Sequence, residues 1–190
     1  LRPKDTMLSI TGEPYDTLQT VIGIGKEESK SSLKAFDIGY EQIDLIDNDF
    51  AILAIQERLK KHDIKLVEIQ RSRGYSTRKS LTIEKIEKVI KAIREVNQEV
   101  IIMVDNCYGE FVQDQEPIEV GADIAVRFFN EKLRSRNCNF WCLHCRKKRI
   151  NQVMCRKTNF SGNWKRNRTI LKPKYTVYQR TIFCTKCGSK

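Results

Sequence analysis

The fold is decided by the stretch IIMVDNCYGEF, residues 101–111, in which four apolar residues are followed at once by Asp105 and Asn106. An apolar run of this length after a helical pattern predicts a buried strand of a parallel sheet. Ligands of open α/β sheets bind beyond the carboxyl ends of such strands, so Asp105 stands where a ligand could reach it. The alternative is that Asp105 only turns the chain or caps the next element.

The chain before this strand alternates extended and helical patterns. Isoleucines at 83, 86, 90 and 93 share one face of a helix predicted over 82–96. The other predicted segments are an apolar run at 6–10, helices at 15–22 and 50–59, and strands at 38–45, 64–69 and 100–104. This alternation predicts an α/β fold with a mostly parallel sheet and right-handed crossovers.

Polar clusters follow three of the predicted segments. They are GEPYDT at 12–17, QRSRGYS at 70–76, and Asp105 itself. Arg71 and Arg73 flank a serine beside Gly74, and two guanidinium groups so placed could clamp a carboxylate or a phosphate. They are equally compatible with solvated loop charges.

Composition divides the 190 residues into two unlike parts. Residues 127–190 hold 18 Lys and Arg and one acidic residue, whereas residues 1–126 hold 17 basic and 23 acidic residues. Six of the seven cysteines also lie after residue 126. No signal peptide or apolar span is present, so a cytoplasmic location without membrane attachment is expected. The first residue is Leu1 rather than Met, which predicts a fragment.

Three stretches resemble the aluminium-resistance proteins, a methionine γ-lyase-like branch of the pyridoxal 5'-phosphate (PLP) enzymes of fold type I. They are LRPKDTMLSITGEPYDTLQTVIGI from residue 1, IQRSRGYSTRKSLTIEKI from residue 69, and VDNCYGEFVQDQEPIEVGADI from residue 104. The resemblance covers residues 1 to about 125. Residues 1–126 are therefore expected to form part of the large domain of a PLP-dependent lyase.

The resemblance implies specific roles for the residues singled out above. Asp105 would pair with the pyridinium nitrogen of PLP, and Tyr15 would stack on the ring. Tyr15 could equally be an ordinary aromatic residue at a helix start. The substrate implied by the resemblance is a small amino acid from which a sulfur group is eliminated at the β or γ carbon, and the arginine pair noted above, Arg71 and Arg73, is the candidate to bind it. The intact enzyme is expected to be a homo-oligomer in amino-acid metabolism.

Residues 127–190 have two interpretations. Cysteines at CxxxCxxC and CxxC spacing resemble a zinc ribbon, with Cys142, Cys145, Cys184 and Cys187 as ligands. Cys138 and His144 lie beside them, and the basic run at 146–149 would suit nucleic acid. A zinc-binding, nucleic-acid-binding module fused to the lyase domain is thus the alternative. Apolar periodicity is lacking in this part of the chain, which predicts disorder.

The favoured interpretation is a frameshift near residue 127. When each codon is taken from its second base, residues 142–151 permit the string AYIVGKKEL, which resembles the family's continuation. Some steps are forced: Trp164 followed by Lys165 gives only Gly. The codon of the lysine that carries PLP would then lie across Glu131 and Lys132, so neither residue is that lysine. The family's phosphate-gripping segment would precede Leu1. This chain is accordingly expected to be inactive and to bind no PLP.

The nucleotide sequence tests this interpretation. Removing one base in the codons around Phe129 should open a long frame that encodes the rest of a lyase. If the cysteines were never selected to converge, the purified chain should hold less than about one zinc per molecule. Stoichiometric zinc that is lost on replacing Cys142 and Cys184 would instead favour the fused module.

Overall fold

The computed structural model describes residues 1–25, 29–109, 112–133, 136–145 and 180–184. Side chains are described within these ranges as far as Arg127. The strands are β1 Thr6–Ser9, β2 Gly39–Gln42, β3 Ile64–Gln70, β4 Ile101–Asp105, β5 Ile124–Leu133, β6 Arg136–Cys145 and β7 Arg180–Cys184. The helices are α1 Asp16–Ile22, α2 Ile52–Leu59 and α3 Ile83–Val96, with a 3-10 turn at Lys34–Phe36.

The described strands form one sheet in the order β2-β1-β3-β4-β5-β6-β7. Every pairing from β2 to β5 is parallel, and β5–β6 and β6–β7 are antiparallel. Parallel neighbours require crossover connections; α1 lies between β1 and β2, α2 between β2 and β3, and α3 between β3 and β4. The expected α/β fold with a mostly parallel sheet is confirmed.

Helix ends follow local sequence signals. The side-chain oxygen of Thr82 accepts a hydrogen bond from the Lys85 N–H and so caps the start of α3. Helix α1 ends at Gly23, whose φ of 94° is readily adopted only by glycine. Within the described ranges, none of these helices meets the length and apolarity that a membrane crossing requires.

One face of the sheet packs against α2 and α3 and forms the hydrophobic core. Successive residues of a strand alternate between faces, so every second strand side chain points to this face. Those in the core cluster are fully buried. They are Leu8, Ile10, Val67, Ile69, Ile102, Val104 and Ala125. The helices contribute Ile55, Leu59, Ile83, Ile86, Val89, Ile90 and Ile93 to the same cluster. The isoleucine spacing that predicted α3 therefore marks its buried face.

The opposite face of the sheet carries a line of polar side chains, Ser9, Glu68, Gln70 and Asp105, which we call the polar row. The register sets Ser9 beside Glu68 and Gln70 beside Asp105. Ser9 and Glu68 are 0% exposed and Gln70 is 6% exposed. The polar row runs towards the carboxyl ends of β1, β3 and β4.

No strand was predicted at β5, which begins directly after Asp123. In the structure Asp123 is buried, and its carboxylate accepts hydrogen bonds from Arg94 at 2.5 Å and from the Ile102 N–H at 2.9 Å. A buried carboxylate with such partners is compatible with a strand start. Strand β2 is shorter than the predicted 38–45 and lies at the edge of the sheet.

The expected division at residue 127 and the expected disorder of 127–190 concern residues that lie for the most part outside the described ranges. The backbone is described there only for the end of β5, for β6 and for β7. Both expectations therefore stay predictions.

Replacing Ile86 by alanine should destabilise the chain. Ile86 is 0% exposed within the core cluster, and deletion of such a side chain costs about 2–5 kcal/mol of unfolding free energy. Leu53→Ala on α2 is the matched control, because Leu53 is 83% exposed and its loss should cost less than about 0.5 kcal/mol. Denaturant unfolding measures both. Equal effects of the two substitutions would contradict the assignment of the buried face.

Candidate functional site

The carboxyl ends of β1, β3 and β4 share one edge of the sheet, because these strands are parallel neighbours. The loop that leads to Tyr15 follows β1, Arg71 follows β3, and Asn106 follows β4. Ligands of open α/β sheets bind at such an edge. Asp105 and Tyr15, predicted as site residues, are both tied to it through Gln70.

Asp105 is the last residue of β4 and is half-buried. Its Oδ1 accepts a hydrogen bond from the Cys107 N–H at 3.0 Å, and its backbone carbonyl accepts one from the Arg71 N–H at 3.0 Å. Among the residues that the structure describes, Oδ2 has no hydrogen-bond partner. One carboxylate oxygen is thus fixed by the loop after β4.

Gln70 connects three segments of this edge. Its side-chain oxygen accepts a hydrogen bond from the Tyr15 N–H at 2.8 Å, and its Nε2 donates to the Ser72 carbonyl at 3.2 Å. Its backbone N–H donates to Thr11 Oγ1 at 3.0 Å. Gln70 therefore fixes the start of α1 relative to β3 and, through its register, relative to Asp105.

Tyr15 stacks on Tyr75. Their ring centroids are 5.2 Å apart with an interplanar angle of 28°, and their hydroxyl oxygens are 2.9 Å apart. The hydrogen bond with Tyr75 is the main cause that raises the pKa of Tyr15 to about 12, so the phenol is neutral at physiological pH. Glycine is favoured at position 74, because its φ is 56° and a Cβ there would lie only 3.1 Å from Gln70 Nε2.

Arg71 points into the protein. It is 4% exposed, and its guanidinium donates to Asn106 Oδ1 at 2.8 Å, to the Gly109 carbonyl at 2.8 Å and to Gln113 Oε1 at 2.9 Å. Its Nε donates to the Leu81 carbonyl. These bonds make Arg71 a residue that holds the loop after Asp105. Its predicted contact with substrate stays a prediction.

A second group of contacts supports the loop after β4. Asn106 is 0% exposed, and its Nδ2 donates to Glu116 Oε2 at 2.8 Å. Arg127 forms an ion pair with the same oxygen at 2.8 Å, with its side chain 8% exposed. Burial of a charged arginine costs little free energy only when it is paired with well-ordered partners. The loop after β4 is thus held by two groups of contacts, one from Arg71 and one from Glu116.

Arg73, the other predicted substrate-binding residue, has an exposed side chain. Arg78 instead fills the space at the end of β3, where it donates to the carbonyls of Gln70 and Ser72. Tyr108 is 87% exposed and has a φ of 65°, an unusual conformation for a residue with a side chain. Strained residues of this kind often occur at functional sites.

Several of these residues were not predicted from sequence. Gln70, Tyr75 and Asn106 sit directly in the clusters that were singled out, so their position after a strand is a usable signal. Arg78 and Glu116 carry no local signal, because only the fold brings them to this edge.

The proposed zinc ligands fall where side chains are not described. Cys142, Cys145 and Cys184 lie on β6 and β7, of which the backbone is described, and Cys187 lies outside the described residues. In the described part of the chain, no group of three or more His, Cys, Asp or Glu side chains could hold a metal ion. The zinc alternative therefore stays a prediction.

The residues of the site fit a flat, cationic ring. A carboxylate with one open oxygen offers an acceptor to a protonated ring nitrogen, and an exposed phenol ring offers a flat contact surface. Both groups are held by hydrogen bonds to Gln70 or to the loop after β4.

Sheet and site together define an α/β protein with the fold of the PLP-dependent aminotransferases. The ureidoglycine-glyoxylate aminotransferase of Bacillus subtilis shares this fold, with a TM-score of 0.51 and 14% identity over 82% of this chain and 36% of that chain.

The model of the methionine gamma-lyase family matches residues 1–128, and the chain belongs to that family. A candidate cystathionine beta-lyase involved in aluminum resistance from Clostridium acetobutylicum is 52% identical, with a TM-score of 0.65. A carbon-sulfur lyase involved in aluminum resistance from Clostridium novyi NT is 44% identical, with a TM-score of 0.63. Each match covers 67% of this chain but only 31% and 30% of those proteins. The expected resemblance to aluminium-resistance proteins is confirmed.

Arg71→Met should lower the unfolding free energy by about 2–4 kcal/mol, because buried partners such as Asn106 Oδ1 lose a charge-assisted hydrogen bond. The amide of Gly109 should also exchange faster, since its loop is freed. Arg73→Met is the matched control and should change stability by less than about 0.5 kcal/mol. Thermal unfolding and amide hydrogen exchange give both quantities. A larger loss from Arg73→Met would contradict the assigned roles.

Proposed function

We propose that the chain is part of a PLP-dependent carbon–sulfur lyase that acts on a small amino-acid substrate. The observation that carries the proposal is the carboxylate of Asp105 at the end of β4, on the edge where Tyr15 lies; its Oδ1 is held by the Cys107 N–H, and no partner of its Oδ2 is found among the described residues. The names of two similar proteins, a candidate cystathionine beta-lyase and a carbon-sulfur lyase, agree with this activity.

When bound, PLP supplies a ring that accepts negative charge from the substrate during elimination. Asp105 holds a proton on the ring nitrogen, because its carboxylate stabilises the cationic form of that nitrogen. The Cys107 N–H bond to Oδ1 fixes the direction of the carboxylate. Orientation achieved before binding lowers the cost of reaching the reactive geometry.

Tyr15 would hold the ring of the cofactor by contact with its face. Its position is set from two directions, by the bond from its N–H to Gln70 and by the stack with Tyr75. An aromatic contact of this kind adds apolar area and selects an orientation.

Arg73 is the better placed of the two predicted arginines to bind a substrate carboxylate, because Arg71 is committed to interior partners. Arginine suits this task through its two parallel N–H donors. We also propose that the intact enzyme is a cytoplasmic homo-oligomer.

The residues after about 127 are proposed to be a frameshifted continuation of the same gene. The family match ends at residue 128; beyond it one acidic residue and six of the seven cysteines follow. The codon of the lysine that binds PLP covalently would lie across Glu131 and Lys132, so neither residue is that lysine. The chain as it stands therefore has no lyase turnover. The cysteine spacing supports the alternative of a fused zinc-ribbon module that binds nucleic acid.

The frame-restored protein is the full-length protein, with the segment before Leu1 included and the reading frame restored near residue 127. In it, Asp105→Ala should preserve the fold and lower kcat at least about 100-fold, a loss of about 3 kcal/mol of transition-state stabilisation. Asp105→Glu should be partly active, since the charge is kept at a shifted position. Asp114→Ala is the control, because Asp114 is exposed. Release of thiol from a sulfur amino acid measures turnover. An active Asp105→Ala enzyme, or turnover by the 190-residue chain alone, would contradict the proposal.

A further inference from the structure

Glu68 is a buried carboxyl group to which the proposed mechanism gives no role. It lies on β3, is 0% exposed, and belongs to the polar row with Ser9 and Asp105. Its Oε2 is 2.9 Å from Ser9 Oγ, and its Oε1 has no hydrogen-bond partner among the described residues. An ionised carboxylate in this position would leave one oxygen unsolvated, which is costly.

The hydroxyl of Ser9 shows how Glu68 is bonded. Ser9 Oγ is 2.8 Å from the Gly12 carbonyl oxygen and 2.9 Å from Glu68 Oε2. A serine hydroxyl has one proton to donate, and a carbonyl oxygen can only accept. Both contacts are hydrogen bonds at the same time only if Glu68 carries the second proton.

Gly12 is the start of the turn that leads to Tyr15. Its φ of 80° is in the left-handed region, and its N–H donates to the Ile43 carbonyl at 3.1 Å. The Ser9 bond to its carbonyl fixes the other side of the same peptide region. Protonated Glu68 therefore stands at the start of a chain of bonds that ends at the turn before Tyr15.

The groups that face Glu68 come from three directions. Tyr40 lies on β2, Asp105 on β4, and Arg78 on the loop after β3. Burial is the main cause that raises the pKa of Glu68 to about 7, and Asp105 raises it further, while Ser9 and Arg78 oppose this shift. Burial is the main cause that raises the pKa of Tyr40 to about 12, and Glu68 adds to this shift, so the phenol stays neutral.

We propose that Glu68 is a positioning residue that holds a proton: it donates to Ser9, Ser9 donates to the Gly12 carbonyl, and the turn before Tyr15 is fixed as a result. Loss of the proton makes Glu68 an acceptor, so Ser9 donates to it and the bond to Gly12 is lost. A second negative charge then stands near Asp105. Only the last link, from Tyr15 to the cofactor ring, rests on the proposed function.

The sign of the pH effect follows from the raised pKa. The native state holds the Glu68 proton more tightly than the unfolded chain does, because the pKa of the carboxyl group is 4.5 in the unfolded chain and about 7 in the native state. The contribution of this proton to stability is complete below pH 4.5 and is lost as pH rises through about 7. Glu68→Gln cannot ionise, and its amide can still donate to Ser9.

The test uses the 190-residue chain with Glu68→Gln, and Glu99→Gln as an exposed control. Infrared difference spectra between wild type and Glu68→Gln should contain the carbonyl band of a protonated acid that disappears with a midpoint near pH 7. The Tm of wild type should fall relative to that of Glu68→Gln as pH rises from about 4.5 to about 7. Glu99→Gln should follow wild type.

A readout at Tyr15 separates positioning from simple burial. Amides of residues 12–18, corrected for intrinsic exchange, should lose protection above about pH 7 in wild type and keep it in Glu68→Gln. Absence of the acid band, a Tm difference independent of pH, or equal protection in both proteins would overturn the inference. Pyridoxal phosphate should also bind frame-restored wild type and Glu68→Gln. Failure of both to bind it, with the acid band and the loss of protection present, overturns the proposed function and leaves the role of Glu68 supported.

Discussion

The pairing of β3 with β4 is the constraint on which the site depends. Its register sets Gln70 beside Asp105 and continues past the strands as the bond from the Arg71 N–H to the Asp105 carbonyl. From this point Arg71 enters the interior and holds Asn106 and Gly109. The carboxylate of Asp105 is thereby held at the edge of the sheet by the strand before it and the loop after it. Little reorganisation is left for the moment of binding.

Local patterns predict much of the framework because the apolar residues of its elements recur with helical or strand spacing. The isoleucines of α3 and the break between Val104 and Asp105 are visible in the sequence and mark the core and the site. Glu68 is different. It alternates with apolar residues, as a solvent-exposed strand residue would, and its burial beside Ser9 is visible only in the structure. Arg71 and Arg73 share a cluster, yet one is interior and the other exposed, because partners more than thirty residues away decide the difference.

The methionine gamma-lyase family match and the composition of the chain change at the same place. Residues 1–128 carry the family match, and from 127 onward basic residues and cysteines dominate. The proposed frameshift would account for both changes with one event, since glycine, lysine and glutamate codons read out of register yield arginine and lysine. A fused module would require an unrelated sequence to begin where the family's cofactor lysine is due.

The central claim is that Asp105 keeps a proton on the ring nitrogen of the cofactor. It is tested most directly by the ¹⁵N NMR shift of pyridoxal phosphate labelled at that nitrogen and bound to the frame-restored protein at neutral pH. The account predicts the shift of a protonated pyridine in wild type and of an unprotonated one in Asp105→Asn, with Tyr15 and the rest of the edge unchanged. An unprotonated nitrogen in wild type, or a protonated one in both proteins, would contradict it.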